Sequence, residues 1–388
     1  MPLNLTILIQ RADINEKSGG DVVQFENIQK HLDESQFRVH LTSWDSCLNL
    51  QECDIVNLVN DRPLLLADSL RIINKLHPRP HIVISPIHHN DQEVINLRKF
   101  GYAQTALERI FAKMLKVKRM EIWVFHLINI LADLRMIAAA CGFWISVKTL
   151  FRNFTKIRTK KKLGALLLQA GNLQFLAKGE LESFFRDYQI GDSESCRKFV
   201  IPNGKPIEQV EIKFDDSMFS IITIGRIEPR KRTLELAQLA DKMGIPITFV
   251  GAIANGESKY AKEFIRIVAG STSVTYLGEK SHAETCSIIG RSNVLLNASF
   301  AEVLSLVEIE AAAQGKWIVS CGAGYSNEYI PSNQLRIYPE NDLRAGLEIA
   351  SQLAISQPVR FDAADIPSWD EIADRYSAMY QEVILEKI

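Results

Sequence analysis

Read for hydrophobic and polar positions alone, the second half of the chain alternates regularly. Short apolar runs at 220–224, 247–250, 274–277, 293–298 and 316–320 have the length of buried strands. Between them lie helical patterns at 233–243, 260–268 and 283–291, then an Ala-rich stretch ending at Gly315. Strand and helix in turn predict a parallel sheet covered on both faces, a Rossmann-like arrangement, although no Gly-x-Gly-x-x-Gly follows the first strand. Ser305 followed three residues later by Glu308 predicts a capping box, and Gly315 marks the helix end.

The first half is less regular. Strands are predicted at 3–10, 37–43, 54–60, 81–87, 165–170 and 198–201. Helical patterns run from Ser18-Gly19-Gly20-Asp21 through His31, at 63–76 and at 173–188. A Pro202-Asn203-Gly204 turn reads as a hinge. It divides the chain into a first domain of 1–204 with a basic helical insertion at about 101–163, a second of 205–366, and a tail helix at 367–388.

Composition agrees with two domains, since 388 residues are long for one and 47% apolar content supports buried cores. The net charge of -1 gives no global reason to expect nucleic acid, but its distribution is uneven. Residues 101–170 hold thirteen Lys and Arg against three Asp and Glu, about +10 against about -11 for the rest. Lys113, Lys116, Lys118 and Arg119 lie near Trp123 and Phe125; Lys148, Arg152, Lys156, Arg158 and Lys160 to Lys162 interleave with Trp144, Phe151 and Phe154. Two readings of 108–162 stay open: an interfacial helix on an anionic membrane, or a solvated insertion packed on its own domain. No nucleic-acid recognition motif accompanies the charge.

The run 122–147 is long enough to cross a bilayer, but His126, Asp133 and Arg135 lie within it, and a buried charge there costs roughly 2.5–3.5 kcal/mol. Core helices or helices on a membrane surface are expected instead of a span. Six cysteines form no Cys-x-x-Cys pair, which predicts free thiols in a reducing cytosol. The start, MPLNLTILIQRAD, shows neither basic leader nor cleavage site and reads as a first strand. A cytoplasmic protein is expected, peripheral on the cytoplasmic face of a membrane if the basic segment binds lipid.

Four stretches carry candidate chemistry. Gly225-Arg226-Ile227-Glu228-Pro229-Arg230-Lys231 follows a strand, and its Arg226 and Lys231 can converge on one diphosphate while Arg230 and Arg232 supply steering charge. Glu302, in the loop before the capped helix, and Glu310, in its second turn, can face one crevice, or be solvated surface residues. Gly19 and Gly20 either allow backbone amides close to a phosphate or form only a tight turn. His88-His89-Asn90-Asp91 follows the strand at 81–87, and can either present an imidazole at the crevice, with His89 in reserve to His88, or form an exposed polar loop. Adjacent His side chains diverge and are not read as a metal pair.

Glu302, seven intervening positions, Glu310 and an Ala-rich helix ending in Gly resemble family 4 of the retaining GT-B glycosyltransferases. Ser18-Gly19-Gly20-Asp21, Ile201-Pro202-Asn203-Gly204, the 225–231 stretch and Ser368-Trp369 match the same family in order. The resemblance is strong from Val200 onward and weak between Gly101 and Leu163. It implies an α/β, GT-B fold, two Rossmann-like parallel-sheet domains facing a central cleft, with the tail crossing back to brace the first. It implies that Arg226 and Lys231 stabilise a departing diphosphate, that Glu302 holds donor-sugar hydroxyls and Glu310 ribose hydroxyls, and that His88 meets the transferred sugar. By the same resemblance Gly19, Gly20 and Gly225 line the diphosphate, Tyr276 and Leu277 the base, and Val303, Leu304, Ser305 and Leu306 the sugar and phosphate. The family's usual Glu-Gly-Phe-Gly is here Glu302-Val303-Leu304-Ser305, a bulkier loop that bears on donor identity.

The activity implied is transfer of a hexosyl or N-acetylhexosaminyl unit, with retention, from a nucleoside diphosphate sugar to a hydroxyl of a glycan or lipid-linked acceptor in polysaccharide or glycoconjugate biosynthesis. No metal and no cofactor beyond the donor are expected, in keeping with the lack of an Asp-x-Asp signature. Two rivals stay open: a sugar-nucleotide epimerase or phosphorylase of the same architecture, and a non-catalytic sugar- or membrane-binding adaptor.

Overall fold

Parallel pairing builds two six-stranded sheets, each with its own core. The computed structural model describes residues 5–11, 20–44, 52–59, 62–99, 121–191, 196–205, 219–253, 258–339, 342–355 and 366–385. One unit comprises Met1–Asn203 with Trp369–Ile388, the other Gly204–Ser368.

In the first unit β1 (Leu5–Arg11), α1 (Gly20–His31), β2 (Phe37–Ser43), β3 (Ile55–Val59), α2 (Pro63–Ile73), β4 (His81–Ser85) and α3 (Asp91–Lys99) open the alternation. Three helices follow, α4 (Glu121–Cys141), α5 (Phe143–Ile157) and α6 (Lys160–Leu168), then β5 (Asn172–Phe175), α7 (Lys178–Tyr188) and β6 (Arg197–Val200). The sheet order is β2-β1-β3-β4-β5-β6. Leu8, Val56, Leu58, Ile84 and Phe175 on the strands pack with Leu64 and Leu70 of α2 and Phe184 of α7. Burying one such side chain contributes roughly 1.5–3 kcal/mol. The tail helix Trp369–Leu385 belongs to this unit. Its Tyr376 hydroxyl accepts from Gln24 Nε2 at 3.2 Å and its Tyr380 hydroxyl from Asn57 Nδ2 at 3.1 Å.

The strand expected at 165–170 is the end of α6, and β5 begins at Asn172. Thr159 caps α6 by accepting from Lys162 N, so the Leu run continues a helix already nucleated, and Gly171 at φ +84° ends it. The true strand is less apolar because its Asn172 and Gln174 are buried yet satisfied, donating to Ile82 O and Ile201 O.

Helix α4 has the length and composition to cross a membrane, with 39% of that window buried within the fold. Its polar residues are anchored in the first unit: Asp133 accepts from Leu64 N at 2.9 Å, and His126 Nε2 donates to Ile157 O. Residues 101–120 of the expected insertion, with Lys113, Lys116, Lys118 and Arg119, lie outside the described residues.

The second unit runs β7 (Phe219–Ile224), a 3₁₀ turn (Pro229–Lys231), α8 (Thr233–Met243), β8 (Ile247–Val250), α9 (Lys259–Gly270), β9 (Val274–Tyr276) and α10 (His282–Gly290). It continues with β10 (Ser292–Asn297), α11 (Leu306–Ala313), β11 (Trp317–Ser320), β12 (Leu335–Ile337) and α12 (Leu343–Ile355). The sheet order is β12-β11-β10-β7-β8-β9, so the chain reverses its direction of winding between β7 and β10. Ile221, Phe249, Val294, Leu296 and Val319 form the sheet's share of the core, with Leu236, Phe264 and Leu347 from the helices.

The capping box expected at Ser305 and Glu308 does not form. Ser305 is the N-cap of α11, yet its side chain makes no cap hydrogen bond, because Glu308 turns inward and accepts from Asn297 Nδ2 at 2.7 Å. The box appears one helix earlier, where Ser281 and Glu284 cap α10 reciprocally.

Candidate functional site

In an open α/β sheet, ligands lie beyond the carboxyl ends of the strands where winding reverses. In the second unit those strands are β7 and β10, and the loops that follow them are 225–232 and 298–305. The two loops are joined: Phe300 N donates to Arg230 O at 2.8 Å, and Arg230 Nη1 donates to Ala301 O at 2.9 Å. Strand order therefore brings the basic turn and the acidic loop together across 71 positions of sequence.

Glu302 is 8% exposed and lies at the centre. Its Oε1 accepts from Lys231 Nζ at 2.5 Å and from Arg230 Nη1 at 3.2 Å. Burial pushes the carboxyl's pKa up, but the Lys231 ammonium and Arg230 guanidinium outweigh it and hold Glu302 far below the usual carboxylate range. Glu228 takes Arg230 Nη2 at 3.1 Å and Arg226 Nη2 at 3.4 Å. Arg226 is the most exposed of these three cations, at 35% against 27% for Arg230 and 15% for Lys231. Three cations against two carboxylates leave positive charge in excess, which suits an anion. Arg232 adds another, buried with its guanidinium 4.4 Å from the centre of the Phe300 ring.

Arg230 and Arg232 are therefore structural members of the cluster, not steering charge only. Both face groups supplied by the loop after β10, a proximity that the basic turn alone does not reveal.

Two glycines let the loops approach. Gly251, just past β8, has φ +140°, and a Cβ there would fall 2.2 Å from Gly225 O. Gly324, with φ +78°, would place one 2.7 Å from Val303 O and 2.9 Å from Glu302 Cβ. Gly225 N donates to Val250 O, tying the end of β7 to that of β8.

Val303, Leu304 and Ser305 are buried, and Leu306 opens α11. Ser305 Oγ has no hydrogen-bond partner, an uncompensated hydroxyl at a helix N-terminus where amides point outward. Glu310, 6% exposed, faces His282 Nε2 at 3.0 Å and not the Lys231 cluster. His282 Nε2 also lies 3.7 Å from Cys286 Sγ; Cys286 and Glu310 push its pKa up to about 10. No motif or spacing marks His282, a residue in the first turn of the neighbouring helix. The Tyr276 hydroxyl donates to Gly251 O at 2.8 Å, and Leu277 N donates to Phe249 O at 2.9 Å.

In the first unit Gly20 is the exposed first residue of α1, while Gly19 lies outside the described residues. His88 departs from expectation: it is fully buried, so its imidazole is not presented at the surface of its unit. Ile87 at φ +46° precedes it, in a region that β-branched residues rarely occupy. His88 N donates to Glu180 Oε1 at 2.7 Å, its Nε2 lies 3.0 Å from Asp187 Oδ2, and its ring packs edge-on against Phe184 and Tyr188. His89 is the one of the pair that lines a cavity, about 190 Å³, with Arg62, Asp91, Phe125 and Asp133.

His88, Asp91 and Asp187 place one potential ligand atom each within 4.8 Å of one another, a spacing that could hold a metal ion. A cation from the chain is already there: Lys160 Nζ donates to Asp91 Oδ1 at 2.5 Å and sits 4.7 Å from the Tyr188 ring centre.

Comparison with known proteins bears on the second unit by sequence and on both units by fold. Residues 205–351 match the family described as Glycosyl transferases group 1. No curated protein sequence matches the chain. Among solved structures, a sucrose-phosphate synthase from Thermosynechococcus elongatus is similar at 14% identity, covering 98% of this chain and 99% of that one with a TM-score of 0.63. An E. coli structure described as trehalose-6-phosphate bound with UDP-2-fluoro glucose matches at 12% identity, with 98% and 99% covered and a TM-score of 0.56. A glycosyltransferase from Rickettsia africae matches at 13%, with 99% and 100% covered and a TM-score of 0.54. At such identities the likeness is one of fold. The chain has the α/β architecture of the GT-B glycosyltransferases, and within its second unit residues 205–351 are similar to the glycosyl transferases group 1 family.

Proposed function

We propose that the protein is a retaining glycosyltransferase that moves a hexosyl or N-acetylhexosaminyl unit from a nucleoside diphosphate sugar to a hydroxyl of a glycan or lipid-linked acceptor, in polysaccharide or glycoconjugate biosynthesis. The observation that carries this reading is the Arg226–Arg230–Lys231–Glu302 cluster at the β7/β10 reversal, inside the matched domain. Its excess positive charge suits a diphosphate, and the unpartnered Ser305 hydroxyl at the start of α11 suits a polar ligand.

In this reading the bond between the sugar's anomeric carbon and the diphosphate oxygen breaks as the acceptor oxygen bonds to that carbon on the same face. The departing phosphate takes the acceptor's proton. Arg226 and Lys231 stabilise the charge that grows on the leaving oxygens, work that a divalent metal does elsewhere, and the reaction proceeds without metal or further cofactor. Glu302, kept ionised by Lys231 and Arg230, accepts from donor-sugar hydroxyls; Glu310 accepts from the ribose, exchanging its contact with His282 for one with the nucleotide. The described cysteines are free thiols, in keeping with a cytoplasmic site of action.

The test is a panel of UDP-, GDP- and ADP-sugars read by thermal shift, followed by turnover of the donor that binds. One donor is expected to raise the melting temperature, and the product's anomeric configuration, read by proton NMR coupling, to match the donor's. Arg226→Ala and Glu302→Gln are expected to lower turnover at least a hundredfold, about 2.7 kcal/mol of transition-state stabilisation. Donor turnover that survives both substitutions together would remove the site assignment.

A further inference from the structure

Helix α5 carries aromatic residues on the side that faces solvent. Phe143, Trp144, Phe151 and Phe154 are 65, 79, 77 and 48% exposed, whereas Ser146, Thr149, Asn153 and Ile157 are buried. At about 100° per residue, Phe143, Trp144, Val147, Phe151 and Phe154 share one arc of about 100°, and Lys148, Arg152 and Lys156 share the adjoining arc. The helix has inverted the usual pattern: polar residues face the fold and rings face water. In the fold, Asn153 Nδ2 and Arg152 Nη2 both donate to the buried Asp68, at 3.1 and 3.2 Å, which fixes this orientation.

The charge beside the rings has one sign. Between Asp133 and Glu180 the sequence contains no acidic residue, and Lys148, Lys156, Arg158, Lys161 and Lys162 are exposed. A second copy of this chain would bring the same cations against themselves, at a cost in repulsion. An anionic bilayer meets both needs, with rings at the boundary of head groups and acyl chains and ammonium groups on lipid phosphates.

We propose that the solvent face of α5 is a docking surface for an anionic membrane, on which the helix lies parallel to the plane with Trp144 and Phe151 inserted. This rests on exposure and charge in the first unit and is independent of the transferase reading.

The test is co-sedimentation of the full chain with phosphatidylcholine vesicles, with and without about 30 mol% phosphatidylglycerol, at about 0.15 M salt. Pelleting is expected with the anionic vesicles alone, with a blue shift in tryptophan emission that Trp144→Phe removes. Trp144→Ser with Phe151→Ser is expected to abolish pelleting, and each of Lys148→Glu and Lys156→Glu to weaken partitioning about fivefold or more. Circular dichroism and melting temperature should be unchanged in all variants, since these side chains are exposed. Equal binding to neutral vesicles, or no binding to either, would overturn the proposal. So would a dimer in vesicle-free sedimentation velocity that Trp144→Ser and Phe151→Ser dissolve, since the rings would then cover a second copy.

Discussion

At the residue scale, the site is governed by a carboxylate that two cations hold in place. Glu302→Ala leaves the Lys231 ammonium and Arg230 guanidinium facing each other without their shared anion, which should cost about 3 kcal/mol in urea unfolding. The pH dependence follows from the depressed pKa of Glu302. Its contribution is complete above the ordinary carboxyl value of 4.5 and is lost as pH falls through the lower folded value. The stability gap between the natural protein and Glu302→Gln should thus be widest near neutrality and close in strong acid. Gly324→Ala tests the tight approach behind Glu302: a left-handed backbone and a Cβ 2.7 Å from Val303 O should cost about 2 kcal/mol, read as a lowered melting temperature. Glu302, Arg226 and Lys231 could be singled out in the sequence by their resemblance to a family pattern, which charge and spacing alone would not have done for Glu302. Arg230 could not be told from its basic neighbours, because its role depends on a loop far along the chain.

At the scale of elements, helix ends were the least legible feature. Ser305-x-x-Glu308 and Ser281-x-x-Glu284 carry the same capping pattern, and only the second forms the box. What separates them is burial, since Glu308 finds Asn297 beneath its helix while Glu284 has solvent around it. The misplaced strand at 165–170 has a like cause: the capped helix claimed that apolar run, and the strand falls instead on Asn172–Phe175, within the stretch whose pattern reads as the start of a helix at 173–188. His282 links α10 to α11 through Glu310, and its pKa of about 10 lies above its ordinary 6.5. The pair's contribution is therefore full below about pH 6.5 and lost as pH rises through about 10. The stability difference between the natural protein and His282→Ala should vanish in that upper range. If Glu310 holds the ribose as proposed, the same variant should bind donor at least as tightly as the natural protein by calorimetry, because no imidazole then competes for the carboxylate.

For the whole molecule, each unit has a separate core, and the first is completed by a helix that is remote in sequence. Tyr376 and Tyr380 reach Gln24 and Asn57 across more than three hundred positions. A bound donor should stabilise the second unit by mass action, about 2.7 kcal/mol at a hundredfold excess over the dissociation constant. Hydrogen exchange should register this as slowed exchange in the 225–232 and 298–313 segments. Slowing confined to the first unit would argue against the β7/β10 assignment.

Periodicity is a local property, so the chain's own pattern determined the alternation of strand and helix in the second half, the parallel character of its sheet and the concentration of positive charge before residue 170. Each follows from what a segment must bury or leave in water, whatever lies beside it. The tertiary structure decided partnership. That His88 turns inward to Asp187, that Arg230 grips Glu302, and that α5 shows its rings to solvent all depend on which strands are neighbours and on buried polar groups, such as Asp68, that claim a side chain from elsewhere. Strand order creates those neighbours, and no window of sequence contains both members of such a pair.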